Sequence, residues 1–182
     1  MKTKLIDQTI KYDGSQLRPH FIYEQTGLLG DAAVAFIGPC EVKLDKMVDL
    51  EDVRDQAPIY SPKMLHFLVE TFPANLLAAV HLQRLTISMI KDNLAKEKIN
   101  LMRSGDDLYQ KEKKLSVSIA TVSTLSSLIH IGLNIETKNT PVATVGLSNF
   151  KVEPKAFAKK LLAHLAEEYQ SILKATYKVK SV

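Results

Sequence analysis

The sequence predicts an α+β fold: a mixed, largely antiparallel sheet with helices packed on its apolar face. Three observations predict it. Residues 74–96 place apolar side chains at helical spacing, residues 154–174 do so again near the C-terminus, and 114–121 and 128–135 instead alternate with a period of two. A chain of 182 residues with 46% hydrophobic and 24% charged residues can close one core, so a single domain over 1–182 is expected.

Lys4 to Ile10 is expected to open the fold as a strand, closed by the turn residues Tyr12-Asp13-Gly14-Ser15. The apolar run Ala32–Ile37, ending at Gly38-Pro39, reads as a buried strand entering a loop. Ser61 and Pro62 suit the cap and first position of a helix, which would run through Met64, Leu65 and Leu68 to about Thr71. On that helix His66 and Glu70 would form a surface pair one turn apart.

The longest helix is expected over Ala74–Lys96. Leu76, Val80, Ile87, Ile90 and Leu94 fall on one stripe, and Leu82, Leu85 and Met89 on a second. Two stripes exceed what one sheet face needs, which points to a homo-oligomer. After Gly105-Asp106-Asp107 comes an antiparallel hairpin. The alternation sets Leu115, Val117 and Ile119 with Ile129, Ile131 and Leu133 against the helices. It leaves Lys114, Ser116, Ser118, His130, Gly132 and Asn134 on the free face. The last helix, from Pro154, carries Ala158, Leu161, Leu162, Leu165, Tyr169 and Ile172 as its buried stripe.

Composition excludes several function classes. No run reaches the roughly 18 apolar residues of a membrane helix, and Asp7 interrupts the short apolar start, so a cytoplasmic protein without a membrane partner is expected. One cysteine, Cys40, makes no internal disulfide, and five scattered histidines have no metal-ligand spacing. The net charge of +4 lies on lysines beside acidic residues, and aromatics are not interleaved with arginines, so nucleic acid is not an expected partner.

The hairpin is where the sequence suggests chemistry. Small side chains at Ser116, Ser118, Ala120 and Gly132, with Lys114, His130 and Asn134 as polar anchors, would floor a trough for an extended ligand. The alternative is a face covered by the protein's own loop. Cys40, in Gly38-Pro39-Cys40, is a candidate nucleophile set against the commoner reading of a small buried hydrophobe.

Lys114-Leu115-Ser116-Val117-Ser118-Ile119-Ala120, followed by His130-Ile131-Gly132-Leu133-Asn134-Ile135, resembles the paired strands of biotin protein ligases and lipoyl or octanoyl transferases. Val34 to Val42, with its Gly38-Pro39-Cys40, is similar to the transferases' loop over the acyl chain. The whole chain also resembles an uncharacterised prokaryotic family, a domain of unknown function. The resemblance implies the ligase-type fold, a small acyl ligand or acyl carrier as partner, and Lys114 beside the acyl carbonyl, with Gly38, Pro39 and Cys40 at the pocket. It departs from that pattern where Ile37 stands for the loop's histidine, and no cysteine follows Asn134. The glycine- and arginine-rich adenylate loop is not evident, so ATP stays open. Two functions follow as expectations: acyl transfer or ligation on an activated carboxylate, or a non-catalytic small-molecule-binding or oligomeric module that keeps the pocket.

Overall fold

The stretch expected to be a helix over 61–71 is instead the central strand of the sheet. In the computed structural model, which describes residues Met1–Val182, β3 (Ile59–Thr71) lies between β2 (Ala32–Val42) and β8 (Ser127–Glu136). Met64, Leu65, Phe67, Leu68 and Val69 are all buried, so both faces of β3 are covered. A strand buried on both sides is continuously apolar, and periodicity cannot tell it from a helix. Pro62 misleads for a physical reason. It falls where the pairing slips, between Cys40–Ser61 and Gly38–Met64 on one side and at Lys63/Met64 on the other, so its missing N–H costs no ladder bond. His66 and Glu70 are correspondingly no surface pair: both are buried on one face of β3.

The five-stranded sheet, in which β1 is Lys2–Leu5 and β7 is Ser116–Val122, runs β1-β2-β3-β8-β7, with β1 parallel to β2 and every other pair antiparallel. The sheet is thus mixed and largely antiparallel, as expected. The first strand is shorter than the predicted 4–10, but the chain follows β2 further, through Ile6 to Ala35, Ile10 to Ile37 and Tyr12 to Pro39.

Two long helices cover one face. α3 (Leu76–Lys96) starts where Asn75 Oδ1 accepts the Ala78 N–H, and α4 (Pro154–Tyr177) starts at Glu153, which accepts the Lys155 and Ala156 N–H groups. Ile87, Ile90 and Leu94 of α3 and Leu161, Leu162 and Leu165 of α4 meet Leu65, Phe67, Ile129, Ile131 and Leu133 of the sheet in one large core. Leu82 of the second stripe is buried there, and Leu85 and Met89 pack against it. Most of both stripes therefore serves one core, while Leu76, at the start of the helix, is half exposed.

The other face carries a smaller core of Val34, Phe36, Met64 and Leu68, roofed by Tyr12 and by Phe21 and Ile22 of α1 (Phe21–Thr26). Near it lies α2 (Leu50–Arg54), capped by Asp49. Between α3 and β7 (Ser116–Val122) a small sheet of β4 (Met102–Ser104), β5 (Asp107–Gln110) and β6 (Lys113–Lys114) is pinned by buried Leu108. No helix is long and apolar enough to cross a membrane.

The hairpin's register corrects the expected faces. Ser116 pairs with Leu133 and Ser118 with Ile131, whereas Val117 pairs with Gly132 and Ile119 with His130. Antiparallel partners share a face, so the serines point to the helices and Val117 and Ile119 join the histidine. Within 116–122 and 127–136 each strand alternates, whereas Leu115, at the break between β6 and β7, lies in the helix-side core as expected and so parts from Val117; a period of two fixes only the two sets within a strand. An offset of one residue across the pair exchanges the faces.

Candidate functional site

The sheet face opposite the long helices holds a cleft of about 340 Å³. Its walls come from α2, the start of β3, the Asp106–Asp107 corner, β6–β7 and the loop 140–144. A smaller chamber of about 40 Å³ adjoins it, sharing Asp49, Asp52, Ile59, Val117 and Ser118 as lining. Tyr12, Leu17, Val42, Met47, Ile119 and His130 line the chamber, which is mostly apolar.

Lys114 and Asn134 lie where the sequence suggested, on the cleft. The backbone of Lys114 is clamped twice, its N–H on Ala143 O (2.9 Å) and its C=O on the Val145 N–H (3.0 Å). Asn134 Nδ2 adds a long hydrogen bond to the same carbonyl (3.4 Å). The Lys114 ammonium sits 2.8 Å from Asp107 Oδ2. Burial works against its charge, but the Asp107 hydrogen bond and carboxylate outweigh burial and raise its pKa. Lys114 is therefore a fixed cation at neutral pH, with much of its field already met by Asp107.

The other predicted residues sit differently. Ser116 is fully buried, and its Oγ accepts the Leu108 N–H (2.9 Å), tying the small sheet to the large one. Ser118 reaches the cleft's edge, but its hydroxyl donates to Asp106 Oδ2 (2.8 Å) and accepts from Gln83 Nε2 of α3 (2.7 Å). Gly132 floors no trough: a Cβ there would lie 2.8 Å from Met64 Cε and 3.2 Å from Val117 Cγ2, so those side chains already fill the space.

Gly38, Pro39 and Cys40 line neither compartment. They support what does. Pro39 O accepts the Tyr12 N–H (2.9 Å), Cys40 lies beside Tyr12 in register, and Gly38 O meets His66 Nε2 at 3.2 Å. A Cβ on Gly38 would fall 1.8 Å from Ile10 O, so only glycine admits the 10–12 segment here. Cys40 is fully buried, and burial pushes its thiol up to about 12, which removes it as a thiolate nucleophile.

Sequence reasoning picked out His130 but missed the two residues packed against it, Tyr12 and His66. His66 and His130 are both buried and joined Nδ1 to Nε2 at 3.0 Å. Tyr12 stacks on His130 with 3.6 Å between ring centroids and 10° between planes. Burial first, and His66 second, hold His130 neutral, while burial pushes His66 down to about 4. Tyr12 had been read only as turn chemistry and His66 as a helix-surface residue, and no local signal joins them across 54 positions of chain. The acidic wall was missed as well. Asp49, Glu51, Asp52, Asp106 and Asp107 line the cleft, and burial, then Asp49, raises the pKa of Asp52.

The model of a family described as a domain of unknown function, DUF366, matches residues 1–180. The chain belongs to that family. An uncharacterised protein of Methanocaldococcus jannaschii is 33% identical over 159 residues, covering 84% of this chain and 72% of that protein. A solved protein of unknown function from Pyrococcus horikoshi is 38% identical over 100% of both chains, with a TM-score of 0.93. At greater distance the DUF366 chain shares its fold with biotin protein ligase from Aquifex aeolicus, at 17% identity, a TM-score of 0.61, and 93% and 70% of the two chains covered. Lipoate-protein ligase A, solved with ATP, is 12% identical with a TM-score of 0.53 over 92% and 85%. The ligase-type fold expected from the hairpin is the fold this DUF366 protein has.

Proposed function

We propose that the cleft binds an acyl group in a neutral, activated form, an ester or a carrier thioester, and that this DUF366 domain transfers it to an amine. The observation that carries the reading is the pairing of compartments: an apolar chamber for a stem adjoins a cleft whose wall holds a fixed lysine. Biotin protein ligase from Aquifex aeolicus has been solved with biotin and ATP on this fold, which supports the class and no residue role.

The charge of the cleft chooses the form of the substrate. Five carboxylates face one lysine, and Arg84 is already held by Asp106 (3.3 Å). A triphosphate or a free carboxylate meets net repulsion there. The residues present do not fit ATP, and no step is derived through it. A neutral acyl ester escapes that penalty, and a protonated amine is attracted.

The transfer needs no enzyme nucleophile. The amine, having lost its extra proton to a cleft carboxylate, forms the C–N bond at the acyl carbonyl, and the Lys114 ammonium stabilises the developing oxyanion. The carbonyl re-forms as the C–S or C–O bond breaks. The amine's second proton goes to Asp52, whose raised pKa suits a general base, and the thiolate or alkoxide leaves. A second reading, a binding module without turnover, is favoured by the Asp107 contact that spends much of the Lys114 charge.

Wild type incubated with S-octanoyl-N-acetylcysteamine and a panel of primary amines should release thiol and form amide, read by mass spectrometry. Lys114→Met should retain thioester binding and lose on the order of a hundredfold in turnover. Thioester binding without amide from any amine would leave the binding module. No thioester binding at all would overturn both readings.

A further inference from the structure

The buried histidine pair fixes which nitrogens carry protons. Gly38 O can only accept, so His66 Nε2, 3.2 Å away, carries the hydrogen. In a neutral imidazole the other nitrogen is then a lone pair, so His66 Nδ1 accepts. His130 Nε2, 3.0 Å from it, must be the donor. Burial holds both rings in the neutral form. His130 Nδ1 is therefore left as a bare acceptor.

Nothing in the protein meets that acceptor. Asn93 Oδ1 is the one sealed side-chain nitrogen or oxygen without a hydrogen-bond partner. His130 Nδ1 and Tyr12 Oη have no partner either, so both are reachable from outside the protein. Each residue is only 3% exposed, and both line the 40 Å³ chamber, so the chamber is where those atoms can be reached. The rest of the lining is mostly apolar, Leu17, Val42, Val117 and Ile119 among it, with Lys46, Asp49, Asp52 and Ser118 as its other polar members. An acceptor and a hydroxyl side by side in a mostly apolar pocket fix the orientation of a ligand and choose its end group. The chamber has room for about three water-sized centres, the size of a small terminal group and not of a ring system.

We infer that His130 and Tyr12 select an acyl chain whose far end carries a hydrogen-bond donor that also accepts, such as a hydroxyl or an amide, over a plain alkyl end. The donor meets His130 Nδ1, and the Tyr12 hydroxyl donates to the same group. Gly38 and His66 act behind them as positioning residues, holding the tautomer. This rests on the reading that the chamber takes the stem of an acyl ligand. An alkyl end would strand both polar atoms away from water, which costs more than a hydrogen bond gains. A site built to meet a polar group rejects the analogue that lacks it.

The test uses matched neutral probes, methyl octanoate and methyl 8-hydroxyoctanoate, titrated into the intact protein by calorimetry. The hydroxy ester should bind about tenfold more tightly or better. Tyr12→Phe keeps the stacked ring and should bring the two affinities within about threefold, chiefly by weakening the hydroxy ester. Nitrogen-15 spectra of labelled histidine supply a readout that needs no variant. His130 Nδ1 should be the unprotonated nitrogen in the free protein, and should shift on saturation with the hydroxy ester more than with the alkyl one. Equal binding of the two esters, or a protonated Nδ1, would overturn the inference while leaving the acyl-binding reading standing. Binding of neither ester would overturn that reading and the inference with it.

Discussion

Cys40 and Lys114 show how a residue's surroundings decide its chemistry. Both were singled out for reactivity. Cys40 has no exposed surface and no neighbouring cation, so its thiol stays protonated and behaves as a small hydrophobe. A thiol reagent such as dithionitrobenzoate should leave the native protein unmodified for hours and label one thiol at once in denaturant. Rapid labelling of native protein would return Cys40 to the list of nucleophiles. Lys114 keeps its charge because Asp107 and the clamped backbone hold it in place, and that fixed position is what an oxyanion contact requires.

At the scale of elements, two glycines on the strands either side of β3 do different work. Gly38 lets the 10–12 segment lie on β2, and the obstacle to a side chain there is backbone, Ile10 O at 1.8 Å. Gly132 on β8 is crowded by the end of Met64, a flexible side chain that can move. Gly132→Ala should therefore cost about 1–2 kcal/mol, and Gly38→Ala about 3 kcal/mol or more with Tyr12 displaced from its stack on His130. Urea titration measures both, and an upfield-shifted Tyr12 ring signal reports the stack. Equal costs would mean that the 10–12 segment yields as easily as Met64. The alternation of the hairpin was legible in the sequence because it is local. The register between its strands was not, because it follows from the turn at 123–126 and from what each face packs against.

For the whole molecule, the histidine pair links stability to pH. His66 has a folded pKa of about 4 against an ordinary 6.5, and His130 is depressed in the same sense. Between about pH 6.5 and 4 the unfolded chain binds protons that the folded chain refuses, so stability is full above that window and falls as pH drops through it. His66 alone accounts for roughly 3 kcal/mol by the bottom of the window. The carboxylates whose pKa is lowered titrate mostly below about pH 4.5. A comparison of urea midpoints at pH 7 and pH 5 therefore reads chiefly the histidines, with Asp52, whose pKa is raised by burial and Asp49, working in the opposite sense. The midpoint should fall at pH 5, and His66→Gln should flatten the dependence. An unchanged midpoint in wild type would mean that the pair is not held neutral.

By itself the sequence determined the fold class, the two long helices, the alternating strands, and Lys114 and Asn134 as cleft residues. Each rests on periodicity or on a local motif that a few neighbouring residues carry. Tertiary structure decided what lies in the middle of the sheet. It made 59–71 a strand against its local helix signals, since only burial on both faces distinguishes the two. It also decided which face of the hairpin is free and set Tyr12 and His130 on the chamber with His66 behind them, three residues that no spacing connects. Hydrogen bonds and charges act through space, so a proton fixed on one ring nitrogen by a carbonyl 28 positions away leaves no mark in the sequence.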